Sequence, residues 1–272
     1  VTSSAVADAP DPVEYLDTTA ATAEAAAYKR RLADLLDLHP GHVVLDVGCG
    51  PGTDLATLAG AVTATGTVIG VDHDTRMLDE ARRRLADHSR VELRPGDAHG
   101  LPLPDATVDR ARVDRVLQHL ADPALALAEA HRVLRPGGLF GMAEPDWDTL
   151  VVADEDLTTG RAFARSVAAR VRNATVGRDL VRLATATGFT VRSVEAIAFV
   201  LRDVELADTI LGLRRNTARA VRDGILPEAD ARRWLTRLET GPFLAGFTFY
   251  LVVAEKNGRP PTDVDAGSRP AR

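Results

Sequence analysis

Gly48, Gly50 and Gly52 crowd into the stretch "DVGCGPG", directly after the apolar run "HVVL". Glycine is costly to order and is favoured where backbone turns tightly or lies against something. About twenty residues on, a second apolar run ends in Asp72. A carboxylate there is placed to accept hydrogen bonds from ribose hydroxyls. Together these residues point to a bound nucleotide or nucleoside. The pattern G-x-G-x-x-G, whose loop takes a pyrophosphate, is met at Gly48 and Gly50. Its third position is Thr53, and the glycine comes one residue early, at Gly52. Asp72 serves a dinucleotide and any other ribose-bearing ligand alike. The histidines are scattered, with no H-x-x-x-H or Cys/His grouping, so no metal site is read. Cys49, the lone cysteine, reads as a small filler between two glycines.

The elements that position these residues follow from hydrophobic period and breakers. A helix is expected from Thr19 to Leu38, stopped by Pro40-Gly41. "HVVLDV", "GTVIGVD", "RVELRPGD", "TVDRARVD" and "LFGMAEPD" read as five strands. Helices are expected from Thr53, over "TRMLDEARRRLAD", from Leu117, and over "PALALAEAHRVLRPGG". Such alternation with short links predicts right-handed crossovers and a doubly wound α/β sheet, covered on both faces. Ligands then sit beyond the carboxyl ends of the strands.

The second half reads as helices over "LTTGRAFARSVAARV", "GRDLVRLATATGF", "ELADTILGLRRNTARAV" and "PEADARRWLTRLE". They surround a long strand, "TVRSVEAIAFVL", and precede an aromatic last one, "FLAGFTFYLVVAEK". One domain is expected over 13–258. Within it, 13–40 forms an N-terminal helical lid and 41–145 a ligand-binding half. Residues 146–176 and 203–241 are insertions over the substrate side, and 1–12 and 259–272 are loose tails. The stretch from Glu155 to Val221 is rich in arginine, including Arg170, Arg172, Arg178, Arg182 and Arg214. This implies either an anion-attracting surface or a solvated helix face.

Four segments in order, "VLDVGCGPGTDLATLA", "VIGVDHDTRMLDEAR", "LRPGDAHGLPLPDATVD" and "LADPALALAEAHRVLRPGGLF", resemble the class I S-adenosylmethionine-dependent methyltransferases. The likeness is nearest to the small-molecule branch that includes ubiquinone and menaquinone biosynthesis. It implies a mostly parallel seven-stranded sheet with an antiparallel last strand. It also implies a role for each matching residue. Backbone at Gly48 and Gly50 would lie against the methionine tail and ribose. Asp46 would reach the ammonium and Asp72 the ribose hydroxyls. His73 and Met77 would flank the adenine, with Asp97 and the Ala98 N–H at its edge. Val113 would touch the tail through its backbone, and Tyr15 would fold over the cofactor.

Methyl transfer from a sulfonium is an in-line displacement that needs alignment and exclusion of water. "VDRVLQHLADP" is similar to the family segment that carries two adjacent histidines. Here the pair is Gln118-His119, which leaves His119 as the candidate general base. Packing on a helix is the alternative role for this histidine. "EPDWD" would set Glu144, Asp146 and Trp147 near the substrate mouth, and Trp147 could stack on a planar acceptor.

Composition bounds these readings. The chain has 272 residues, 45% apolar, with a formal net charge of −6. That balance argues against nucleic acid as partner, and no apolar run approaches a membrane span. One cysteine and an N-terminus unlike a signal peptide fit the cytoplasm. The expected partner is a small-molecule acceptor methylated on O, N or C, with secondary metabolism as the setting, by a monomer or homodimer. Two alternatives stand: a protein that binds the cofactor without methyl transfer, and an NAD-type oxidoreductase.

Overall fold

The computed structural model describes residues 11–257. Seven strands form one sheet: β1 (Val43–Val47), β2 (Thr67–Asp72), β3 (Val91–Pro95), β4 (Val108–Asp114), β5 (Leu134–Val152), β6 (Phe189–Leu201) and β7 (Ala245–Lys256). Their order is β3-β2-β1-β4-β5-β7-β6. The first five pair in parallel, and β7 runs antiparallel to both β5 and β6. This is the doubly wound sheet with an antiparallel last strand that the sequence implied. The chain winds outward from β1 to β3 and then returns to β4 beside β1. The reversal opens a crevice at the carboxyl ends of β1 and β4, where such sheets hold ligands.

Alternation along the strands sorts side chains between two helical layers. Val44 and Val68 pack with Leu55, Leu58 and Leu78 of α3 (Leu55–Val62) and α4 (Thr75–Arg84). Their neighbours Leu45 and Ile69 join Leu127 and Leu180, from α5 (Pro123–Val133) and α7 (Val176–Ala186), on the opposite face. At the far end, Phe247 and Phe249 of β7 pack with Tyr28 of α2 (Ala23–Leu35), Phe163 of α6 (Leu157–Ala168) and Trp234. Trp234 lies on α10 (Glu228–Thr240), which follows α8 (Val204–Leu211) and α9 (Leu213–Arg222). Among the described residues no helix is long and apolar enough to cross a membrane.

Four local expectations are corrected. The helix expected over 19–38 is two helices, α1 (Pro12–Ala20) and α2. Thr22 ends the first and caps the second: its hydroxyl donates to the Thr19 carbonyl at 2.8 Å and accepts from Ala25 N at 3.1 Å. Asp11 and Pro12 are not part of a loose tail, because the Asp11 carboxylate accepts from Val13 N at 2.9 Å and caps α1; the remainder of 1–12 and all of 259–272 lie outside the described residues. The helix expected at Leu117 is a single 3₁₀ turn, Leu117–His119. The helix expected over 205–221 breaks at Gly212, whose left-handed φ of 62° separates α8 from α9.

Candidate active site

A cavity of about 630 Å³ opens at the ends of β1, β2 and β4, with Tyr15 and Leu16 of α1 on its wall. The glycine loop forms its floor. Gly48 has φ 70°, and a β-carbon there would collide with Cγ2 of Val116. The chain itself, as well as any ligand, thus demands a glycine at this position. Gly48 N and Cys49 N both donate to the Val71 carbonyl, at 2.7 and 3.0 Å, which ties the loop to β2. Gly50 N donates to Asp72 Oδ2 at 2.8 Å, and Asp74 N donates to Oδ1 at 2.9 Å. Asp72 is therefore anchored through both oxygens while still facing the cavity.

Farther along this wall, Met77 is buried and His73 is largely exposed, its Nδ1 3.5 Å from Asp72. Asp97 accepts from His99 N at 2.9 Å and sits 2.6 Å from His99 Nδ1. These His99 contacts hold its pKa below the usual carboxylate value. Ala98 lies beside it on the cavity surface.

The opposite end is charged. Arg112 of β4 is buried, and its Nη2 donates to Asp54 at 2.8 Å and Asp114 at 3.0 Å. Its Nε lies 3.3 Å from Asp46 Oδ1 without a hydrogen bond. Lys29 Nζ donates to Asp54 at 2.7 Å, and the Tyr28 hydroxyl donates to Asp114 at 3.0 Å. Burial pushes Asp46 up to about 6, even with Arg112 beside it. Asp54, also buried, is instead drawn down to about 2 by Arg112 and Lys29. Of the charged residues in this cluster the sequence reading singled out Asp46 alone; Tyr28, the alternative to Tyr15 as the tyrosine closing the pocket, is instead buried with its hydroxyl on Asp114. The available signal was two charged residues, Arg112 and Asp114, alternating within a strand expected to be covered on both faces.

His119 lies at the cavity rim with its side chain exposed. The protein mass around it and the nearby Arg115 charge both lower its pKa. Its turn is held from below by Glu144, which accepts from Val116 N at 2.8 Å and Leu117 N at 2.7 Å. Glu144 is fully buried, so the expectation that it faces the mouth is corrected.

Tyr15, Asp46, Gly48, Gly50, Asp72 and His73 all line the one cavity. So do Met77, Asp97, Ala98 and His119. Besides Glu144, four residues do not. Val113 is in the core, and its neighbour Asp114 faces the cavity instead. Gln118 and Trp147 line a separate narrow hollow, joined by a Trp147 Nε1 to Gln118 Oε1 bond of 2.7 Å. Asp146 is fully buried and held by Arg178 of α7, so it cannot face an acceptor. Strand period explains this: Asp146 shares parity with Phe140 and Met142, which face α5 and α7. Several arginines of the second half are neutralised: Arg170 by Asp223, Arg182 by Asp179, and Arg214 by Glu205, Asp208 and Glu239. Of those named from the insertions, Arg172 alone lines the cavity.

Residues 45–142 match a family described as "Methyltransferase domain". The chain is 53% identical over 247 residues to an uncharacterized 37.1 kDa protein in transposon TN4556 of Streptomyces fradiae, covering 90% of this chain and 72% of that protein. It is 34% identical over 125 residues to a demethylmenaquinone methyltransferase of Staphylococcus aureus, a match covering 46% of this chain and 52% of that one. The match thus spans about half the length of that enzyme. The solved structure of a SAM-dependent methyltransferase from Aquifex aeolicus superposes with a TM-score of 0.55 at 16% identity, covering 90% of this chain and 98% of that one. The sheet order, the family match over residues 45–142 and the likeness to the demethylmenaquinone methyltransferase place the chain in the class I S-adenosylmethionine-dependent methyltransferase family.

Proposed function

We propose that the cavity binds S-adenosylmethionine and that the chain methylates a small-molecule acceptor at the rim near His119. The observation that carries this reading is Asp72: a buried carboxylate ending β2, fixed by the glycine loop, with its face toward a cavity at the switch point. The other residues fit the same ligand. Asp46 and Lys29 stand at the charged end, suited to an ammonium and a carboxylate. Met77 and Ala98 offer an apolar slot for a purine, with Asp97 at its edge. Gly52 faces Ala81 of α4 and Leu85 just after it, where an added β-carbon would lie 3.0 Å from both. Its glycine thus serves helix packing and is not evidence for a pyrophosphate.

When bound, S-adenosylmethionine supplies an electrophilic methyl group. The chain's own contribution is alignment, exclusion of water and a base. His119, with its lowered pKa, is neutral near pH 7 and able to take a proton from a hydroxyl or ammonium acceptor. Glu144 holds the turn that presents it. Calorimetric titration with S-adenosylmethionine, its demethylated product and NAD tests the reading. Micromolar binding of the first two without NAD binding is expected; tight NAD binding alone would overturn it.

A further inference from the structure

Arg115 stands at the cavity in a strained backbone geometry. It follows β4 with a left-handed φ of 58°, a conformation that is unfavourable for a long side chain. The backbone is pinned in that shape: Arg115 N donates to the Ala143 carbonyl at 2.9 Å, and its own carbonyl accepts from Gln118 Nε2 at 3.2 Å. Strain of this kind persists where surrounding structure over-determines it, and it clusters at ligand sites. The side chain is only 14% exposed. Yet its guanidinium makes no hydrogen bond among the described residues, its Nε is buried without a partner, and the nearest carboxylate, Asp114, stands 3.6 Å away. Arg112, Arg178 and Arg214 by contrast donate to carboxylates at 2.7–3.0 Å. A buried group with unused donors in a native fold calls for a partner.

The position of the guanidinium indicates that partner. Arg115 lines both the large cavity and the narrow hollow beyond it. The hollow is walled by aromatic rings: Trp147 stacks on Phe247 at 4.9 Å, Phe247 on Phe199 at 5.0 Å, and Tyr28 on Phe249 at 4.5 Å. His119 stands close enough at the rim for the Arg115 charge to be felt there. Lys29, at the methionine end of the cavity, donates to Asp54 at 2.7 Å and shares Asp114 with Arg115, each 3.6 Å from that carboxylate. An arginine fork matches a carboxylate in shape and charge.

We infer that Arg115 is a specificity residue that binds a carboxylate of the acceptor, with the acceptor's reacting atom turned toward His119. This rests on the methyltransferase reading of the same cavity. The guanidinium facing the cavity without a hydrogen-bonded partner is the feature that separates a carboxylate acceptor from a neutral one.

The test uses the full chain saturated with S-adenosylhomocysteine. Calorimetry is run with 4-hydroxybenzoate, salicylate and 6-hydroxy-2-naphthoate, each beside its carboxamide. At least one carboxylate should bind tenfold or more tightly than its amide, the range expected for charge-assisted hydrogen bonds. Arg115→Gly suits the left-handed backbone while removing the fork. It should erase the preference and leave S-adenosylhomocysteine affinity within about threefold. Should that variant not fold, as judged by its circular dichroism melt, Arg115→Gln carries the same expectation. Three results would each overturn the inference: no carboxylate binds, the preference survives the substitution, or cofactor-product affinity falls more than tenfold. The last would put the guanidinium on the cofactor's own carboxylate. Failure of S-adenosylhomocysteine to bind the parent chain would instead refute the underlying methyltransferase reading.

Discussion

Glu144 accepts a 2.7 Å hydrogen bond from the backbone N–H of Leu117, a residue of the turn that carries His119. The bond joins the interior of β5 to the rim of the cavity. Burial raises Glu144 to about 8, against the pull of three backbone N–H groups. The folded chain therefore keeps a proton that the unfolded chain releases near pH 4.5. Stability from this proton is complete below that value and is lost as pH rises toward 8. Glu144→Gln should flatten the fall of chemical-denaturation stability across this window, and an unchanged slope would refute it. Glu144→Ala leaves two buried N–H groups without an acceptor and should cost about 2–4 kcal/mol.

His119→Ala should lower turnover by ~10²–10⁴-fold if the imidazole takes the acceptor's proton. Cofactor affinity should hardly change. The lowered pKa places the acid limb of the parent pH–rate profile below an ordinary imidazole's, and this limb should vanish in the variant. A surviving limb with near-parent turnover would remove His119 from the chemistry.

Asp46 predicts a pH dependence of cofactor binding. In the free chain its carboxyl takes a proton below about 6. The cofactor's ammonium favours the charged form, so binding should weaken as pH falls through 6 and level off above it. Asp46→Asn should bind more weakly and lose this step. Calorimetry at pH 5, 6, 7 and 8 checks both.

Gly48→Ala places a side chain on a left-handed backbone and against Val116. The conformational cost alone is about 1–2 kcal/mol. A lower melting temperature is expected, partly restored by adding Val116→Ala. No change in melting would mean that the loop tolerates a side chain there.

Much of this site was legible because it lies where strands end. Gly48, Gly50, Asp72 and Asp97 are fixed by the turn following a strand, and turn chemistry is local. The parallel part of the sheet followed from alternation, since crossovers have one hand, whereas the antiparallel last strand followed from the family resemblance. Asp146 was misplaced because its direction depends on strand parity, which "EPDWD" does not reveal without knowing where β5 continues. Arg112 and Arg115 were missed for a related reason. Their importance comes from carboxylates shared with groups distant in sequence, such as Asp114 with Lys29 and Tyr28 of α2, and from a left-handed backbone that no residue type announced. Gly212 broke a helix that its flanking residues, taken by period, would have continued.

The account depends most on Asp72 as the cofactor's anchor. Calorimetric titration of S-adenosylhomocysteine into the parent, Asp72→Ala and Asp97→Ala chains measures this directly. Asp72 is buried and would accept from two hydroxyls, whereas Asp97 is exposed and already engaged by His99. Micromolar binding to the parent is expected, with a loss of ~10²-fold or more at Asp72→Ala and a loss of a few-fold at Asp97→Ala. Equal affinity in all three chains would contradict the account and place the cofactor elsewhere.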